Sequence, residues 1–231
     1  MLKVLVSGKN PKSVSLVNKK IQNYKTLKLS KKPEVVISLG GDGTYLYNER
    51  KYPKIPKILV RDSSICKLCS IYDLNNINLV LKKLNQKKFT LKECIKLEGR
   101  YKNKKLLAVN DIVIRNKNQY EAIRFNVKIN NKDLNSKFIG DGIIVSTVFG
   151  STGYFNSITK TTFTKGIGLA FNNILARTYE ILKEDDVIDL ILLKGQALVS
   201  ADNNKKLISL KENSKIRIKK SKEKAFIVLL W

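Results

Sequence analysis

The 231-residue sequence contains no histidine at all. That absence removes the Ser-His-Asp triad, the His-activated cysteine and the His-ligated zinc site in one step, and leaves Asp, Glu, Lys, Tyr or Cys to move any proton. Cysteine is scarce as well, with Cys66, Cys69 and Cys94 the only three. An odd count does not describe a disulfide framework, and Cys66/Cys69 lacks the second pair, or the histidine, that would close a zinc site. The ordinary reading of all three is as small core or surface residues, with redox or metal use as the competing one. No stretch reaches the roughly 18 apolar residues of a membrane-spanning helix. The opening MLKVLVSG reads as a strand, not as an apolar leader with a cleavage site. A soluble, cytoplasmic protein is expected.

Acidic residues are also in short supply, 19 against 45 Lys and Arg, for a formal net charge of +26. With 43% hydrophobic residues the chain is nevertheless no disordered basic tail. Its length suffices for one large domain or two small ones with a real core. The basic residues are spread along the sequence and 38 of the 45 are Lys, beside 22 Asn. Readers of nucleic acid lean on Arg, so this excess reads equally as compositional bias. Affinity for phosphate-bearing ligands is the modest inference, and nucleic acid or an anionic membrane the stronger ones.

Residues 2–7 alternate as a strand, and Val14, Val17 and Ile21 fall on one face of a helix between Pro11 and Tyr24. The continuous apolar run Glu34–Leu39 predicts a strand buried on both faces, and Ile58–Val60 a third strand. Ile77, Leu81 and Leu84 predict a second amphipathic helix from Asn76 to Gln86. The first 86 residues therefore read as a small open α/β domain with parallel strands. From Lys87 the texture changes to short alternating segments at 94–100, 106–115, 123–129, 134–139, 141–147, 187–193, 197–200 and 206–209. Turn signals at Asn103-Lys104, Asn130-Asn131 and Asp202-Asn203-Asn204 punctuate this β-rich half. Two last strands, Ile216–Lys219 and Ala225–Leu230, are expected with a charged link, Lys220–Lys224, between them.

Three places carry chemistry. Gly40-Gly41-Asp42-Gly43-Thr44 follows a buried strand, where open α/β sheets bind ligands. Three glycines admit a phosphate close to the backbone, and a following helix N-terminus favours an anion. A carboxylate in such a loop repels its ligand unless it has a task, such as holding a metal ion or orienting a hydroxyl. The competing reading is a tight turn with Asp42 as helix cap. The second place is Gly140-Asp141-Gly142 through Ser151-Thr152-Gly153-Tyr154, which crowds hydroxyls and glycines beside an aromatic, suited to ribose hydrogen bonds and base stacking. An ordinary Gly-Ser-Thr hairpin is the alternative. The third is Asn110-Asp111, two polar residues between the apolar segments Leu106–Val109 and Ile112–Ile114. They need partners, from a ligand or from a neighbouring strand.

Taken in chain order the three places resemble the ATP-dependent NAD kinase family, whose markers are a GGDGT loop, an Asn followed by an acidic residue, and a GDG…ST..GST.Y segment. The resemblance runs over nearly the whole chain, through Gly166–Asn173 and the terminal strands. GGDGT alone is shared with diacylglycerol and sphingosine kinases and phosphofructokinases; its combination with Asp141–Tyr154 is specific. What the resemblance implies is α/β plus all-β: a small Rossmann-like domain at 1–86, a β-sandwich-like NAD-binding domain at 87–221, and a strand at 222–231 returning to the first. It implies that Asp42 meets the 2′-hydroxyl of the adenosine ribose, with Gly41, Gly43 and Thr44 on the phosphate side. Asn110 and Asp111 would bind the dinucleotide, and Thr152, Gly153, Tyr154 and Ser157 the adenosine half. Asp141 would serve a neighbouring subunit's ligand in a homo-oligomer, a dimer or tetramer, and Asp202 matches the acidic residue of a late Asp-Gly-Gln segment. The sequence departs from the pattern with Ile158-Thr159-Lys160 for Gly-Gly-Pro, Val148 for Pro, Gly153 for Ala and Asn203-Asn204 for Gly-Gln.

The reaction implied is transfer of the terminal phosphoryl of ATP, or of polyphosphate, to the 2′-hydroxyl of NAD, giving NADP. Phosphoryl transfer asks little of a base and much of positioning and charge neutralisation, so the missing histidine is no obstacle. Asp42 would act by orienting the hydroxyl or helping to hold Mg²⁺ or another divalent cation. A lipid kinase is the alternative that GGDGT permits, but lipid kinases lack Asp141–Tyr154 in this form. With no basic-aromatic recognition motif, neither a nucleic acid nor a membrane is an expected partner.

Overall fold

The computed structural model describes residues 1–63, 72–134, 137–175 and 178–231. Cys66 and Cys69 lie outside the described residues. The chain forms two compact units, one of Met1–Cys94 with Lys224–Trp231, the other Ile95–Glu223. The boundaries expected from sequence were 86/87 and 221/222.

The first unit begins β1 (Leu2–Gly8), α1 (Pro11–Ile21), β2 (Leu27–Leu29) and β3 (Val35–Gly40), followed by α2 (Asp42–Lys51), β4 (Lys57–Arg61) and α3 (Ile77–Asn85). Strands pair in parallel, β1 with β2 and β3, and β3 with β4, while Ile227 of the last strand pairs in parallel with Lys57. Every residue of β3 is buried, as a central strand covered on both faces requires. One face carries Val17 and Ile21 of α1 and Ile77, Val80, Leu81 and Leu84 of α3, packed with Val4, Val6, Ile37, Leu39, Ile58 and Val60. On the other face Asn48 of α2 donates to Ser38 Oγ at 2.9 Å and accepts from Ser7 Oγ at 2.6 Å. This buried polar wiring fixes α2 against β1 and β3. β2 has only three residues and was not legible as a strand.

The second unit takes the latter half of β5 (Phe89–Tyr101) and continues with β6 (Lys104–Ala108), β7 (Asp111–Asn116), β8 (Ile123–Ile129), β9 (Lys132–Asp133), β10 (Phe138–Gly140) and β11 (Gly142–Thr147). A wide turn at Ser151–Phe155 and a short helix, α4 (Asn156–Thr159), precede β12 (Ile167–Asn172), β13 (Tyr179–Leu182), β14 (Ile188–Lys194), β15 (Ala197–Ala201) and β16 (Ile208–Leu210), and β17 (Lys215–Leu230) closes the order. Six strands form an antiparallel sheet in the order β13-β12-β11-β7-β15-β16. Facing it are β10, β8, β14 and the first part of β17. Between the sheets lie Phe125, Val127, Leu190 and Ile216 from one side and Ile112, Ile114, Val145 and Phe171 from the other. This is the β-sandwich that the resemblance implied. The outer face of the six-stranded sheet presents Val113, Ile144 and Ala170, which Phe155 and Phe163 cover.

Lys215–Leu230 is a single 16-residue strand, not two strands and a charged link. Charge marks a loop only where no countercharge awaits it. Here Lys220 pairs with Asp185 at 2.8 Å and Glu184 at 3.2 Å, Glu223 with Lys105 at 3.0 Å, and Lys224 with Glu93.

Candidate functional site

In the first unit β3 ends at Gly40, whose φ is +153°, and a Cβ there would stand 2.4 Å from Thr44 Oγ1. Only glycine lets the strand turn so tightly into α2. Gly41 is the residue before the helix, and Asp42 opens it, with Arg50 and Lys51 in its last turn, an arrangement that suits the helix dipole. The cap position is thus a glycine without a side chain, and Asp42 does not occupy it. Thr44 N and Tyr45 N donate to Gly41 O at 2.9 and 3.3 Å. The loop lines a cleft of about 350 Å³ with Gly41, Asp42, Gly43 and Thr44 on its wall. β1 runs parallel to β3, so α1 begins at the same edge of the sheet, and Lys9 and Asn10 line the same cleft together with Asp62. Sequence reasoning could not choose Lys9 from 38 lysines. The signal available was its place just after β1, where a doubly wound sheet presents residues to ligands.

In the second unit Asn110 stands between β6 and β7, and Asp111 opens β7. Asp202 follows β15 in a left-handed turn, φ +50°. Its carboxylate accepts the backbone N–H groups of Val109, Asn110 and Asp111 at 3.0, 2.8 and 3.2 Å, while its own N–H donates to Asp111 O at 2.9 Å. The same turn is tied from the other side. Thr147 N and Ser146 Oγ donate to Asn110 O at 2.9 and 3.2 Å, and Thr147 Oγ1 donates to Val109 O. Gly150 has no room for a side chain, since a Cβ would lie 2.3 Å from Asn110 O. At Gly153 a Cβ would meet only Asn110 Nδ2, at 3.9 Å, so the family's alanine fits there. The structure therefore gathers Asn110, Asp111, Asp202 and the segment 146–153 into one cluster. Tyr154 is 38% exposed, and its carbonyl accepts the Ser157 hydroxyl at 2.7 Å.

Asn110 Oδ1 is buried with no hydrogen-bond partner. Asp111 is 7% exposed, and among the described residues no donor reaches its carboxyl. Burial, reinforced by the nearby Asp202 carboxylate, pushes its pKa up to about 7. An unpartnered amide oxygen beside a buried carboxyl with a raised pKa, on a rigid turn, is what a ligand site leaves open.

Asp141 is elsewhere. Gly142 pairs with Arg115 and Ser146 with Asp111, so Asp141 and Asn110 lie at opposite ends of β11, roughly 17 Å apart along the strand. Its oxygens accept from Asn116 and Asn173 Nδ2, both at 3.3 Å. The second unit also holds a larger cavity, about 780 Å³, lined by Lys117, Tyr120, Glu121, Lys211 and Glu212 among others. Volume alone does not make it the reactive site, for the glycine loop and the unsatisfied turn lie elsewhere.

The chain thus carries an α/β unit whose glycine loop lines a cleft, and a β-sandwich with a buried polar turn at Asn110-Asp111. A family model described as the ATP-NAD kinase C-terminal domain matches residues 109–230, over half of the chain. The chain belongs to the ATP-NAD kinase family. An NAD kinase of Helicobacter pylori is 33% identical over 137 residues, covering 58% of this chain and 47% of that protein, so the match spans about half of the relative's length. One from Clostridium beijerinckii is 26% identical over 215 residues, 85% of this chain and 72% of that protein. In fold, an NAD kinase from Archaeoglobus fulgidus in complex with ATP superposes with a TM-score of 0.83 at 21% identity, covering 98% of this chain and 93% of that one. Yeast NADH kinase complexed with NADH gives 0.84 at 15%, covering 100% and 84%.

Proposed function

We propose that the protein is an NAD kinase, transferring the terminal phosphoryl of ATP to the 2′-hydroxyl of the adenosine ribose of NAD. The observation that carries the reading is the Asn110-Asp111 turn, clamped by Asp202 and residues 146–150 inside the region that the family model matches. The first unit supplies the phosphate cradle. Backbone N–H groups at the start of α2 and the Lys9 ammonium offset phosphate charge, which is most of what a loose phosphoryl-transfer transition state demands. Asp42 orients the acceptor hydroxyl so that its oxygen lies in line with the phosphorus, and Gly41, Gly43 and Thr44 flank the phosphates. In the second unit Asn110 and Asp111 bind the dinucleotide, and Thr152, Gly153, Tyr154 and Ser157 hold its adenosine half.

A divalent cation fits the first unit. Asp42 and Asp62 both line the cleft, and Mg²⁺ is commonly held by one or two carboxylates with the remaining positions left to water and phosphate oxygens. These two side chains would hold it, and it would neutralise charge on the phosphates. Asp141, at the other end of β11 from the Asn110 cluster, fits a role at a neighbouring subunit's ligand in a cytoplasmic homo-oligomer. No helix among the described residues is long and apolar enough to cross a membrane.

The test is NADP formation from NAD, ATP and Mg²⁺ by the purified chain, read with an NADP-specific dehydrogenase, with polyphosphate and NADH as alternative substrates. Asp42→Asn, if folded, should lose about 10²–10⁴-fold in rate. An inactive wild type with every donor would sink the reading and redirect the search to lipid acceptors.

A further inference from the structure

The Asp202 carboxylate takes three successive backbone N–H groups, those of Val109, Asn110 and Asp111. Successive amides converging on one point form a nest for an anion, and a carboxylate held in this way strongly favours its ionised form. Asp111 is in the opposite position. It is 93% buried, its carboxyl receives no hydrogen bond from any described residue, and a fixed negative charge is its neighbour. Two adjacent carboxylates with such unequal support do not ionise over the same range of pH.

Among the described residues, the other surroundings of Asp111 supply no compensating charge. Its cross-strand partner on β11 is Ser146, whose hydroxyl is committed to the carbonyls of Asn110 and Thr147. At the end of β15 and just after it the neighbours are Ala201 and Asp202, β6 ends in the apolar Ala108, and the wide turn is Ser-Thr-Gly-Tyr-Phe without a charged side chain. On β7 itself the nearest basic residue is Arg115, exposed and four residues on, about 13 Å along the strand.

We propose that Asp202 is a positioning residue that, by remaining ionised beside Asp111, keeps Asp111 in its protonated form, from which Asp111 donates a hydrogen bond to an oxygen acceptor of the bound dinucleotide. A neutral carboxyl has a donor that a carboxylate lacks, and it does not repel a ligand that itself carries phosphate charge. Raised burial and a like charge place the exchange between the two forms near neutrality. The donor role rests on the NAD kinase reading; the protonation of Asp111 does not.

The experiment has two arms on the full chain. In the first, carbon-13 NMR follows the aspartate side-chain carboxyls of the ligand-free protein, with the Asp111 signal assigned by Asp111→Asn. Asp111 should titrate near neutrality, and Asp202→Asn should lower its midpoint by about one unit or more. In the second, NAD binding is measured calorimetrically at about pH 6 and about pH 8, and the wild type should bind about tenfold more weakly at the higher pH. Asp202→Asn should move that fall to lower pH, and Asp111→Asn, an amide with its own N–H donor, should flatten it. A merely structural Asp202 would instead weaken binding equally at every pH. Titration of Asp111 in the ordinary carboxylate range overturns the proposal whatever NAD does. Titration near neutrality with binding that is independent of pH overturns the donor role alone. Failure of NAD to bind at any pH overturns the kinase reading, and the donor role with it.

Discussion

At the scale of single residues, Lys9 and Asp111 give the clearest expectations. Lys9 lines the cleft with Gly41 and Asp42, and the proposed function gives it one charge-assisted contact to a phosphate. Lys9→Gln should therefore raise the KM for ATP about tenfold, equivalent to roughly 1.4 kcal/mol, while leaving the KM for NAD nearly unchanged in steady-state assays. Asp111 has a folded pKa of about 7 against an ordinary value of 3.8. The folded chain thus holds a proton that the unfolded chain releases. Stability from this group is present in full below the unfolded value and is lost as pH rises through about 7. Thermal unfolding at about pH 5 and about pH 8 should show the wild type losing stability over that interval, by an amount of order 1–4 kcal/mol, relative to Asp111→Asn. An equal response of the two proteins would mean that Asp111 is ordinary.

Among the elements, β4 and α2 are joined by a buried ion pair, Lys57 with Glu49, and Lys57 also donates to Tyr52 O. The two side chains are 0% and 3% exposed. Removing the ammonium alone leaves a buried carboxylate without it, so Lys57→Met should cost about 3–5 kcal/mol in chemical denaturation. Adding Glu49→Leu should recover most of that loss, because a hydrophobic pair replaces the ionic one at little net cost. The elements also show what was readable in advance. β3 was legible because all six of its residues are buried, and α1 and α3 because a single apolar stripe meets the sheet. α2 has no such stripe, since Asn48 and Glu49 are among its buried residues and are held by polar partners, so only the glycine loop before it pointed to its start. β17 was misread for a related reason. Its central charges are satisfied by acidic residues far away in sequence, which periodicity cannot see.

For the whole molecule, the +26 charge is the dominant electrostatic fact. Ion pairs such as Asp189 with Arg217 and Lys215 offset a little of it: burial pushes the Asp189 carboxyl up, and the two cations outweigh that and hold it below its usual range. The remaining self-repulsion should be screened over about 10 Å at ~0.1 M salt. Raising salt from about 0.01 M to about 0.15 M should accordingly raise Tm, the reverse of the behaviour of a chain held by surface ion pairs. A Tm that falls with salt would show the pairs to matter more than the excess. The candidate site was legible at its motifs, which are local in sequence. The clamp on Asn110 was not, because Asp202 reaches it across some ninety residues and no local pattern announces a carboxylate aimed at three amides.

The last strand has a further consequence in the order of synthesis. Residues 224–231 complete the first unit, and Ile227 lies beside Lys57 at one side of its sheet. A ribosome makes the chain from the other end. Met1–Cys94 must therefore wait, without its final strand, while the whole second unit is translated and emerges. The half of β17 within the second unit is made immediately before the half that closes the first, so a nascent chain finishes its two units within moments of each other rather than one well ahead of the other.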